Sequence, residues 1–142
     1  MTLKYYREEY ANFPNHNKIV VENFNIQNLV NQITDYFKIS HLDVLFDLEN
    51  GNVVGQYRTN KTYEGKFFMG KRCSEISFRK NRKLIPLLTI VHEVAHHWDY
   101  EKNGQFRIVD NRYRIKWRKA HTKKHKYMMK RIFDAYDRNF EY

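Results

Sequence analysis

The stretch His92-Glu93-Val94-Ala95-His96 places two histidines and a glutamate within five residues. Residues four apart on an α-helix lie one above the other, so a helix here aims two imidazole nitrogens at one point. Glu93 is turned about 100° from His92, which brings its carboxylate close to that point without occupying a coordination position. Two imidazoles are half of a tetrahedral zinc site, and a carboxylate beside zinc-held water is the base that peptide hydrolysis requires.

The surrounding sequence supports a helix over about Leu84 to Lys102, with Pro86 tolerated in the first turn and Asn103-Gly104 as the stop. Leu87, Ile90, Val91, Val94, Ala95 and Trp98 follow the spacing of one buried stripe. Thr89, His92, Glu93, His96 and Tyr100 fall on a neighbouring face, which gives one helix a core side and a chemistry side. Trp98 and Tyr100 read as core or wall.

A zinc site of this kind needs a third protein ligand, with the fourth position left for water. The extended metzincin pattern would need Gly at 99 and His at 102, but these positions hold Asp99 and Lys102. His97 is turned away from His96 on the same helix. His121, His125 and acids such as Asp110 or Asp134 remain as candidates on spacing alone. Asp99 and Asp110 are candidate acceptors for a ligand histidine's second nitrogen, and Tyr113 and Tyr127 are candidate donors to a developing oxyanion.

Several elements must position these groups. Met1 to Asn17 reads as a short helix or an arm packed by Tyr5, Tyr6, Tyr10 and Phe13. From Asn25, an N-cap residue, Ile26, Leu29, Val30, Ile33 and Phe37 repeat at helical spacing, predicting a helix to about Lys38. Asp43 to Leu48 and Val53 to Arg58 flank Asn50-Gly51, a hairpin turn signal. Tyr63 to Met69 and Cys73 to Arg79 supply further strands, with Gly70-Lys71 as a turn between them.

Gln105 to Lys119 reads equally as extended chain or loop. Helical spacing returns from about Ala120 to Arg138, with His121 in the first turn. The predicted fold is α+β, a small antiparallel sheet of three to four strands packed with an N-terminal helix, a zinc-motif helix and a C-terminal helix.

At 142 residues and 42% hydrophobic content, the chain suits one domain (residues 1–142) with a core of its own. No apolar run approaches a bilayer span and the first residues carry no apolar signal core, so an intracellular, cytoplasmic location without a membrane partner is expected. Cys73, the single cysteine, excludes an internal disulfide and a four-cysteine zinc ribbon, and reads as a small buried residue. The net charge of +10 is uneven: residues 1–100 hold 13 Lys/Arg against 11 Asp/Glu, whereas residues 101–142 hold 13 against 5. A basic final third suits a polyanion such as DNA or another nucleic acid as partner, or simply a solvated surface.

The motif His92-Glu93-Val94-Ala95-His96, followed by Ala120-His121-Thr122-Lys123-Lys124-His125-Lys126-Tyr127-Met128-Met129-Lys130-Arg131-Ile132, resembles the SprT-like (Spartan-type) zinc metallopeptidases, which have a zincin fold. The resemblance covers about Asp43 to Phe133. It implies that His121, which opens the helix after the motif helix, is the third zinc ligand, with Met129, Arg131 and Ile132 at the family's later positions. Thr122 stands where the family usually has Gly, and His125 where it usually has an aromatic; His125 then reads as a packed or supporting histidine. The implied activity is a zinc-dependent endopeptidase with Glu93 as general base. A strand such as Glu75 to Arg79 reads about equally as an edge strand pairing with extended substrate backbone or as an interior strand with no ligand role.

The basic third adds an expectation that its substrates are associated with nucleic acid, held through Arg112, Arg114, Lys116, Arg118, Lys119, Lys123, Lys124 and Lys126. The competing reading is a basic nucleic-acid-binding protein whose zinc site is structural or degenerate. Glu93 separates the two, because a purely structural zinc site has no use for a carboxylate there.

Overall fold

The computed structural model describes residues 1–49, 53–64, 67–103, 106–108, 115–117 and 121–140, with side chains of 59–64, 67–73, 106–108 and 115–117 left undescribed. Helices α1 (Leu3–Asn12), α2 (Asn23–Phe37), α3 (Leu87–Asn103) and α4 (Lys123–Asn139) accompany strands β1 (Val20–Glu22), β2 (Asp43–Leu48), β3 (Gly55–Glu64), β4 (Phe67–Arg79), β5 (Leu84–Pro86), β6 (Phe106–Ile108) and β7 (Ile115–Trp117). The arrangement is α+β, with mixed rather than purely antiparallel pairing.

The main sheet has the order β2-β4-β3. β3 runs antiparallel to β4, and β2 runs parallel to it, with Val44 opposite Ile76. The hairpin expected between residues 43–48 and 53–58 therefore does not form; its turn at 50–52 lies outside the described residues. Only two residues, 65 and 66, separate β3 from β4. That is the link length of a tight hairpin, so the long β3–β4 ladder takes the pairing that the shorter β2 would have used.

The turn expected at Gly70-Lys71 is absent for the same reason, since β4 runs straight through it. β4 is the central strand, with Ile76, Ser77 and Phe78 fully buried. Of the two readings of Glu75 to Arg79, the interior strand is the one found, and β3 takes an outer position beside β4.

A second, two-stranded sheet pairs β1 with β5, which accounts for another correction. Leu84 to Pro86, expected in the first helical turn, is strand, and α3 starts at Leu87. Pro86 has no N–H to lose there, and the Leu87 N–H donates to the Ile19 carbonyl at 2.9 Å, which satisfies one of the donors that a helix start leaves open. The motif helix is thereby tied at its N-terminus to the β1 side of the molecule. Residues 106–108 and 115–117 form an antiparallel pair, so these parts of the segment left open by sequence are extended, and the rest of it lies outside the described residues.

The core lies around α3. Thirteen of its 17 residues are buried, including Thr89, His92 and Glu93. Sequence spacing suggested one apolar stripe beside a chemistry face; α1, α4 and β3 pack against α3 so that most of the latter face is buried too, with His96 only partly buried. α2 contributes Ile26, Leu29, Val30 and Ile33, and α4 contributes Met128, Met129, Ile132 and Phe133. Each such side chain is worth roughly 1.5–3 kcal/mol of burial. Among the described residues, no helix is long and apolar enough to cross a membrane.

Candidate metal centre

α3 carries His92 and His96 on adjacent turns, and their Nε2 atoms lie 3.0 Å apart. The Nε2 of His121 lies 3.2 Å from that of His92, so three ring nitrogens converge. Three lone pairs aimed at one point repel one another unless a cation or a shared proton sits between them. Tetrahedral donors at 2.0–2.1 Å from zinc stand roughly 3.3 Å apart, close to the spacing found here. The cluster is able to hold a single metal ion.

His121 reaches the site by a route different from the expected one. Thr122 is the N-cap of α4, in extended conformation at φ −109°, ψ 172°, and its hydroxyl accepts from the His125 N–H at 3.2 Å. A hydroxyl cap is the stronger helix start, so α4 begins at Lys123 and His121 lies in the bend just before it rather than in the first turn. Its ring packs against Tyr5, with centroids 4.0 Å apart.

His125 is buried, and its Nε2–H donates to the His92 backbone carbonyl at 3.0 Å. It stacks on His96, with ring centroids 4.1 Å apart and an interplanar angle of 22°. The geometry gives it a positioning role: it braces one ring of the cluster by stacking and the other through the main chain. The brace compensates for a gap, since His92 Nδ1 is buried with no hydrogen-bond partner among the described residues.

Electrostatics favour metal over protons. Burial, followed by the crowding of neighbouring imidazoles, pushes the His92 pKa far below the usual histidine value. His96 is lowered well below it and His121 is lowered, in each case mainly by burial. His125 is brought down to about 4 by burial, partly opposed by its bond to the His92 carbonyl. The rings are therefore neutral at pH 7, the state in which imidazole binds a metal.

Glu93 is buried, with Oε1 3.8 Å from His92 Nε2. Burial raises its pKa, while the Met1 ammonium and the Tyr57 backbone N–H pull it back down. A carboxyl moved upward is closer to the pKa that a general base needs. Gly55, the first residue of β3, makes this placement possible. A Cβ there would lie 2.6 Å from Thr89 Cγ2 and 3.4 Å from Glu93 Cγ. A glycine inside a strand pattern is the sequence sign of such close approach, although its partner was not readable.

Two contributors had no local signal. The Met1 amino nitrogen donates to Glu93 Oε1 at 2.8 Å and also to the Gly55 carbonyl, and Tyr5 covers His121. Both depend on a chain segment some ninety residues or more away in sequence.

The remaining candidates are placed as follows. His97 stands apart from the cluster: its Nε2–H donates to the Ser40 carbonyl at 2.8 Å, and the Tyr57 hydroxyl donates to Nδ1 at 3.1 Å. Asp99 accepts from Asn103 Nδ2 at 2.8 Å, and its charge acts to raise the His125 pKa. Asp134 is exposed on α4, while Asp110 and Tyr113 lie outside the described residues. Tyr127 is 59% exposed, and Trp98 and Tyr100 are buried.

Of the basic residues, Lys123, Lys124 and Lys126 are exposed in the first turn of α4, directly after His121. Arg112, Arg114, Arg118 and Lys119, together with the side chains of Lys116 and Cys73, lie outside the described residues. Comparison with protein-family models, with curated proteins and with solved structures finds no match to this chain.

Proposed function

We propose that this chain is a single-domain zinc endopeptidase of the SprT-like kind, with His92, His96 and His121 as the metal ligands and Glu93 as the general base. The observation that carries the reading is the convergence of three neutral Nε2 atoms beside a buried carboxylate. A structural site gains nothing from burying a charge-bearing Glu93 in that position, because burial of a carboxylate is costly unless the group has a task. Its presence favours the enzyme over a binding protein with a structural metal.

Zinc bound there would supply a Lewis acid that makes a water nucleophilic at neutral pH and polarises the scissile carbonyl. Glu93 accepts the proton as water attacks and returns it to the departing amine. The Tyr57 N–H holds the carboxylate in orientation, and the narrow approach of Gly55 sets its distance from β3. His125 keeps the His92 main chain and the His96 ring in register.

Lys123, Lys124 and Lys126 sit at the positive end of the α4 dipole, where cations disfavour the helix. Their exposure beside the cluster supports contacts to phosphates, and thus substrates associated with DNA or other nucleic acid. Such contacts weaken steeply with salt.

The test is metal analysis of the purified protein and of His121→Ala, together with casein digestion by Glu93→Gln. One zinc per chain, lost in His121→Ala, and loss of digestion with zinc retained in Glu93→Gln are expected. Full zinc in His121→Ala would remove the ligand assignment, and undiminished digestion by Glu93→Gln would remove the mechanism.

A further inference from the structure

We infer that residues Met1–Tyr5 act as a strap lying in the substrate groove of this site, so that the protein as folded is self-blocked; the inference rests on the peptidase reading above. The observations are independent of one another. Thr2 pairs with Val53 as an antiparallel bridge, and the Val54 N–H donates to the Met1 carbonyl at 2.8 Å. Met1 and Thr2 thus add extended backbone to the chain leading into β3, which is how a peptide joins a free strand edge, and Leu3 to Tyr5 follow as the first turn of α1.

The Met1 nitrogen donates both to Glu93 Oε1 and to the Gly55 carbonyl. In hydrolysis, the nitrogen to which Glu93 returns its proton begins the departing fragment. The Met1 nitrogen therefore holds the carboxylate oxygen that such an amine would need. Four residues on, the Tyr5 ring packs against His121, one of the three histidines of the cluster.

The strap is anchored as well as seated. Thr2 caps α1, its hydroxyl accepting from the Tyr5 N–H at 3.3 Å. Beside it lies a cavity of about 200 Å³ lined by apolar residues including Leu3, Val54 and Leu84, with Arg79 and Arg82 at its wall. A substrate side chain would find room there once the strap is withdrawn.

The test uses the zinc-loaded chain carrying Thr2→Cys and Val53→Cys with Cys73→Ser, which joins strap to strand by a reducible bridge. Two readouts are taken before and after a phosphine reductant: casein digestion, and binding of a fluorescent unstructured peptide by anisotropy. Both forms carry the same substitutions, so any cost of the lost Thr2 cap cancels. No binding or digestion while oxidised, and a rise of at least about tenfold on reduction, is expected, as for a site competent in a minor fraction of molecules.

Equal behaviour in both forms overturns the strap, as does failure of the two cysteines to cross-link or absence of peptide binding after reduction. Peptide binding that rises on reduction without any digestion upholds the strap and overturns the peptidase reading. Tyr5→Ala, which loosens the strap without cysteines, is expected to raise peptide binding severalfold; unchanged binding counts against the strap.

Discussion

Substituting Gly55 by alanine tests the contact that sets the distance between Glu93 and the sheet. The added Cβ would stand 2.6 Å from Thr89 Cγ2, whereas ordinary contacts begin near 3.4 Å, so one side must yield by about 0.8 Å. Thr89 is buried and lies one turn before Glu93 on α3; relief by moving the helix carries the carboxylate with it. Overpacking of this kind costs about 1–3 kcal/mol, partly offset by the roughly 0.4–1 kcal/mol that replacing glycine removes from unfolded-chain entropy.

A net loss of about 1–2 kcal/mol should lower the melting temperature of the metal-loaded protein by roughly 3–8 °C. A displacement approaching 1 Å at a catalytic group costs on the order of 100-fold in rate, so casein digestion should fall much further than stability does. Thr89→Ser removes the clashing methyl, and the double variant should recover most of both losses, a coupling of roughly 1–2 kcal/mol. Gly55→Ala with unaltered melting temperature and rate would mean that α3 and β3 do not approach as described. Loss without recovery in the double variant would place the strain elsewhere.

Other expectations follow from the same geometry. His125→Phe should lower metal affinity by roughly 10–100-fold, read by competition with a chelator, because Phe keeps a ring but has no N–H to brace the His92 carbonyl; unchanged affinity would deny the positioning role. His97→Phe should destabilise the fold by about 1–3 kcal/mol in chemical denaturation while leaving zinc at one per chain, since both ring nitrogens are engaged by Ser40 and Tyr57. The metal-free protein should lose stability on acidification. A histidine depressed to about 4 in the fold and near 6.5 when unfolded binds its proton first in the unfolded chain, so its stabilisation is present above about pH 6.5 and is lost as pH falls towards 4. For His125 this amounts to about 3 kcal/mol, with the lowered His92, His96 and His121 acting in the same direction. Denaturation midpoints that stay flat between pH 7 and pH 4.5 would refute it.

The chemistry was legible where it depends on helical spacing. His92 and His96 four apart, and Glu93 between them, are consequences of 3.6 residues per turn, and any helix over those residues brings them together. The apolar repeats of α2 and α4 were readable for the same reason. Strand pairing was not: Asn50-Gly51 is a good turn signal, yet the two-residue link at 65–66 and the length of β3 and β4 placed β4 in the centre with β2 parallel to it.

By itself, then, the sequence determined a helix presenting two imidazoles and a carboxylate to one point, and a basic final third, because both are local properties of residue order. Spacing alone left His121 and His125 open and a family resemblance pointed to His121; only the tertiary structure placed His121 Nε2 beside His92 Nε2 and turned His125 onto the His92 carbonyl. It alone also decided that Gly55 meets Thr89 and that Met1 reaches Glu93. Those contacts join positions between 34 and 92 residues apart, and no periodicity along a chain records which distant residue a packed surface will bring against another.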